Sequence, residues 1–116
     1  MNTIEIVSEA IRLKKPISYE YNKPGKTPGQ RTGNPYVVYN FTAKSGQRSV
    51  KLHIVQTSGV SDSDDRQPLP SFRTHDVVQL SNVRVLHGEP DFIPNHPDYN
   101  PNWEGYDDVI AQVILA

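Results

Sequence analysis

The chain reads as a mainly β domain: a small, strongly bent sheet of five short strands closed into a barrel, led by one α-helix. Three observations predict this. Apolar residues recur at helical spacing only near the N-terminus, and at a period of two from residue 17 onward. Turn-forming residues then interrupt the chain about every eight to twelve positions. Ten prolines and seven glycines in 116 residues supply those turns without making a low-complexity chain. A flat sheet of this size would leave long edges exposed, so closure is the expected remedy.

The helix starts near Thr3, whose hydroxyl can cap an orphan amide, with Glu5 well placed against the N-terminal dipole. Ile4, Val7 and Ile11 form one apolar stripe with Ala10 beside it, and Pro16 after Lys14-Lys15 ends the element. Ile17, Tyr19 and Tyr21 then alternate with polar residues, a half-buried strand. Residues 23–33 read as a basic, turn-rich loop. Strands are expected at 36–41 and 49–57, joined by hairpin chemistry in Ala43-Lys44-Ser45-Gly46. In the second of these, Val50, Leu52, Ile54 and Gln56 share one face, and Lys51, His53 and Val55 the other. A polar loop is expected at 58–70, and shorter elements at 71–73 and 82–86, with 76–80 either a turn or a strand.

One domain, 1–116, is expected: helix plus barrel at 3–87, then a Pro/aromatic-rich extension at 88–116 made of a wrapping loop and a short terminal element. Prolines 90, 94, 97 and 101 bar a central strand from the loop, and Phe92, Tyr99, Trp103 and Tyr106 give it means to pack down. The loop then either plugs an open barrel end or offers Tyr99, Pro101 and Trp103 to a peptide. Residues 107–115 suit a helix or a strand, and their acidic start leans them to helix.

Several function classes fall away. No run of about 18 apolar residues could span a membrane as a helix. The N-terminus has neither the basic nor the apolar region of a secretory signal, so the expected location is the cytoplasm. Without cysteine there is no disulfide, thiolate metal site or cysteine nucleophile. The four histidines, at 53, 75, 87 and 96, fit no compact metal motif, so no metal and no cofactor is expected. His75 and Asp76 are adjacent, so on a strand their side chains oppose each other and cannot form a Ser-His-Asp triad with Ser71. The segment from Lys23 to Thr27 lacks the first glycine and the following helix of a phosphate loop. No catalytic residues are expected.

Charge is divided along the chain. Residues 1–57 carry nine bases and three acids, a balance of +6, and residues 58–116 carry three bases and ten acids, a balance of −7. Such a division marks either an anion-binding face or two halves that neutralise each other. Tyrosines interleaved with Lys23, Lys26, Arg31, Lys44, Arg48 and Lys51 suit base stacking and phosphate contacts, or else a half-buried wall.

The order of motifs resembles the WYL domain. It runs from an Ile6-Val7-Ser8-Glu9-Ala10-Ile11 helix to Ile17-Ser18-Tyr19-Glu20-Tyr21, then to Arg31 ahead of Pro35-Tyr36-Val37-Val38-Tyr39. Phe72-Arg73-Thr74-His75-Asp76-Val77 and Val83-Arg84-Val85-Leu86 follow, so the likeness covers residues 3–87. Of the Trp-Tyr-Leu signature only Leu52 is kept, in Val50-Lys51-Leu52. The resemblance implies a stand-alone relative of a bacterial ligand-sensing module with an SH3-like (Sm-like) barrel. It implies regulation through an anionic ligand, a nucleotide or single-stranded nucleic acid, held by Arg31 and Arg73. Tyr36, Arg48 and Lys51 are the further candidates on the basic face. The alternative is a protein-interaction module using the aromatic C-terminal loop or a strand edge.

Overall fold

A computed structural model describes residues 1–61 and 68–115, so residues 62–67 of the expected polar loop lie outside the described residues. The fold is one N-terminal helix and a six-stranded antiparallel sheet. Helix α1 (Thr3–Leu13) starts one residue earlier than expected. Asn2, not Thr3, is its cap: Asn2 Oδ1 accepts from the Glu5 amide at 2.8 Å, and Glu5 Oε1 accepts from the Asn2 amide at 3.1 Å. This reciprocal box satisfies two otherwise orphan donors. Val7, Ala10 and Ile11 are buried, as the stripe predicts, and α1 packs on strands of the sheet.

The strands are β1 (Ile17–Tyr21), β2 (Gln30–Thr42), β3 (Arg48–Gly59), β4 (Ser71–Asp76), β5 (Leu80–Val85) and β6 (Val109–Gln112). A 3-10 turn over Val77–Gln79 links β4 to β5. Strand order is β4-β3-β2-β1-β5, and β6 adds to β2. The expected five-stranded closure is therefore corrected to six strands in an open path. Among the described residues no ladder joins β4 to β5, because the turn between them sends the chain to opposite ends of the order.

Length explains the branching. Strand β2 begins within the expected loop and runs 13 residues, with register shifts at Thr32/Gly33 and Pro35/Val37. Such bulges bend a strand and raise its twist. Gly33 permits the bend, because a Cβ there would lie 2.7 Å from the Val55 carbonyl oxygen. The first part of β2 pairs with β1 and the later part with β6, while β3 follows nearly its whole length.

The terminal segment is a strand at Val109–Gln112, which corrects the leaning to helix. Val37–Tyr39 needs a partner beyond the end of β1, and residues 109–112 provide one with β-branched side chains. Residues 52–56 of β3 are buried in succession, so both faces of this strand are covered. On one face Leu52 and Ile54 join Ile17, Tyr19 and the helix in the core. On the other lies the loop at 86–108, tied down where Phe92 donates to the Lys14 carbonyl and His96 to the Tyr36 hydroxyl. No helix among the described residues is long and apolar enough to cross a membrane.

Candidate functional site

The five residues singled out for anion binding lie on different parts of the sheet. Arg31 belongs to β2 rather than to a loop, opposite Tyr19 of β1, and is 1% exposed. Its guanidinium donates to Gln56 Oε1 at 3.4 Å and to the Thr27 carbonyl at 3.3 Å, and stands 5.7 Å from the Tyr21 ring centre. Gln56 in turn donates to the carbonyls of Ser58 and Val60. Arg73 shares the His75 face of β4, half-buried, and donates to the hydroxyls of Ser71 and Ser61. These bonds tie loops to strands. Arg31 and Arg73 also act on one buried pair, Tyr19 Oη and His75 Nε2, 3.1 Å apart.

The other three lie elsewhere. Tyr36 is buried beneath the loop, its ring stacked on Phe92 at 5.6 Å. Arg48 pairs with Asp108 at 3.1 Å on the exposed hairpin. Lys51 pairs with Asp76, directly across the β3–β4 ladder, and its ammonium lies 5.5 Å from the Phe41 ring centre. With Lys15, which pairs with Asp91 at 2.7 Å, three bases of the first half are matched by carboxylates from the second among the described residues.

The side of the sheet opposite Tyr19 holds an open cleft of about 510 Å³. Strand β2 contributes Tyr39 and Phe41, β3 Lys51 and His53, β4 Phe72 and Thr74, and the C-terminal loop Asp98, Asn100, Trp103 and Tyr106. Alternation along β3 places Lys51 and His53 on this face, and alternation along β4 places Phe72 and Thr74 there. The Phe72 ring packs on this face against Tyr36, His53 and Tyr99, and Arg73 takes the other side.

His53 forms the floor. Its Nδ1 lies 2.5 Å from the Tyr106 hydroxyl and its Nε2 3.1 Å from that of Tyr39, so a neutral ring can donate to one tyrosine and accept from the other. Burial lowers its pKa to about 4. Burial likewise raises the Tyr106 hydroxyl, and it raises that of Tyr39 to about 12, helped by Asp76. The floor is therefore polar but uncharged at neutral pH. Trp103 and Phe41 stay 40% and 37% exposed on the walls. Trp103 is braced edge-on by Tyr106 at 5.1 Å and by Tyr39 at 6.0 Å.

Sequence reasoning missed His53, which alternation alone put on a sheet face without saying what covered it. It left Trp103 between a plug and a peptide-docking surface and gave Tyr106 a packing role alone, and their relation to Phe41 and Phe72 is visible only once the loop crosses β3. Among the described residues no group of three or more His, Cys, Asp or Glu is placed to hold a metal ion. No family model, no curated protein and no solved structure matches this chain.

Proposed function

We propose that the protein is a non-catalytic binding module that takes an extended segment of a partner protein into the aromatic cleft. One observation carries this reading: the C-terminal aromatic loop and the edge strand β4 border the same cleft. Among the described residues β4 pairs with β3 alone, so its outer edge is available to an extended backbone. The cleft volume falls in the usual range for ligand sites, roughly 300–1,000 Å³. Trp103, exposed on a base of packed aromatic rings, is of a residue type that dominates binding hot spots. In this reading the fold is an SH3-like barrel opened between β4 and β5, related to the WYL domain and working in the cytoplasm. The strand order and the 3-10 link support the barrel reading.

Selection of linear peptides from a display library against the whole protein tests the proposal. Selected peptides should bind at least tenfold more weakly to Trp103→Ala, with the circular dichroism unchanged. Equal binding to both proteins overturns it.

The anionic-ligand reading keeps one observation in its favour, that Arg31 and Arg73 bear on the same Tyr19–His75 pair. Titration with a nucleotide panel and fluorescent oligonucleotides at two salt concentrations tests it. Affinity that falls with salt and with Arg73→Ala supports it. Affinity unchanged by Arg73→Ala removes Arg73 from that role.

A further inference from the structure

The cleft is lined by two side chains that carry charge, Lys51 and Asp98. They differ in one respect. The Lys51 ammonium lies over the Phe41 ring and is paired with Asp76. The Asp98 backbone is fixed by its amide, which donates to His96 Nδ1 at 3.1 Å, but among the described residues nothing hydrogen-bonds or ion-pairs with its carboxylate. One wall thus combines an aromatic ring, a carboxylate and a cation from the chain itself. Trp103 and Asp98 line the same cleft, and among the described residues no cation of this chain pairs with either.

Resting on the cleft reading above, we propose that Trp103 and Asp98, both lining the cleft, together seat one arginine side chain of the partner segment. The guanidinium stacks on Trp103 and forks onto the Asp98 carboxylate. Three further features support that chemistry. Residues 98–108 carry four acids and no base; Asp108 is matched by Arg48, and Asp98, Glu104 and Asp107 leave a local excess of negative charge that attracts a cation. The floor beneath, His53 between its two tyrosines, carries no opposing charge at neutral pH. The indole is held in place as well: a Cβ at Gly105 would fall 2.3 Å from its ring, so the backbone there lies directly against Trp103. Gly105 is in this sense a positioning residue. An open, flat-walled cleft suits arginine better than lysine, because the guanidinium is planar, weakly hydrated and able to donate two parallel bonds to one carboxylate.

Trp103 is the only tryptophan, so its indole N–H gives one side-chain resonance on the cleft wall. The whole protein is titrated, by amide-correlation NMR, with N-acetyl-arginine methylamide and with its lysine and citrulline counterparts. The arginine compound should shift the Trp103 indole resonance saturably, with citrulline binding at least tenfold more weakly and lysine in between. Asp98→Asn should bring arginine down to the citrulline level. Gly105→Ala should weaken arginine binding while the resonances of β1 and β5 stay in place. If arginine and citrulline shift the resonance alike, or if Asp98→Asn leaves arginine binding unchanged, the seat is disproved. The display selection separates that failure from failure of the cleft itself. Library peptides that still need Trp103 leave the cleft standing without an arginine seat, and peptides indifferent to Trp103 remove both.

Discussion

Two histidines on neighbouring strands, each beside tyrosine, are used in opposite ways. His75 of β4 contacts Tyr19 and Tyr21 on the side of the sheet where Arg31 and Arg73 hold loops to strands. His53 of β3 faces the aromatic cleft with both ring nitrogens engaged by hydroxyls. His75 has one nitrogen engaged, and its buried Nδ1 has no hydrogen-bond partner among the described residues. Burial lowers the His75 pKa to about 3, with Arg31 and Arg73 adding to the effect, whereas burial alone brings His53 to about 4. On the proposed reading, the contrast separates a side of the molecule that holds the fold from a side that takes a partner. Substitutions on the Tyr19 side should cost stability and spare cleft binding. Substitutions on the cleft walls should do the reverse.

Among single substitutions the largest effect is expected at Arg31. Arg31→Ala leaves a hole in a fully buried site and strips Gln56 Oε1 of a donor, a loss of about 3 kcal/mol. Urea denaturation should show the lower midpoint, and a change under about 1 kcal/mol would contradict a structural role for this guanidinium. Next comes pH. Both histidines stay neutral in the fold, while in the unfolded chain they take up a proton near pH 6.5. The unfolded state then binds more protons between that pH and the folded values of about 4 for His53 and about 3 for His75. Stability should therefore fall as pH drops below about 6.5, by up to about 1.4 kcal/mol per pH unit for each histidine. His75→Phe should roughly halve that slope. A flat stability curve between pH 6.5 and 4 would show that neither ring is held neutral. Trp103→Ala ranks third: its ring is already 40% exposed, so about 1 kcal/mol of stability should go, against a tenfold or greater loss of peptide binding.

The same contrast shows what could be read in advance. The helix was legible because Ile4, Val7 and Ile11 repeat at its period, and Asn2-Thr3-Ile4-Glu5 contains the spacing of the capping box even though Thr3 is the more obvious cap. β1 was legible from Ile17, Tyr19 and Tyr21 because alternation is a local signal. Features that depend on distant pairing were not. The burial of Arg31 follows from β2 continuing through Gly33 toward Gln30, which needs β1 on one edge and β3 on the other. The terminal strand needs the edge of Val37–Tyr39, more than sixty residues away, to decide between two states that its own side chains fit equally. The cleft needs the loop at 86–108 to cross β3, and no spacing within the loop records that path.

Charge division along the sequence was legible too, and Arg48 offers the finest measure of what it does. Its guanidinium meets Asp108 at 3.1 Å with both side chains more than half exposed, 64% and 56%. In such a setting water screens the pair and ordering two long side chains offsets much of the attraction, so exposed pairs contribute about 0–1 kcal/mol. Asp108 also accepts the Asn40 amide through its backbone carbonyl, which holds the entry to β6 without any help from the side chain. Arg48→Ala should therefore change stability by no more than about 0.5 kcal/mol and leave Trp103-dependent peptide binding within twofold. Its effect on stability should shrink further as salt is raised. A loss above about 1.5 kcal/mol, or a tenfold loss of binding, would mean that this pair fixes the course of the loop bordering the cleft, and the line drawn between the stabilising side and the contacting side would have to move to include the hairpin.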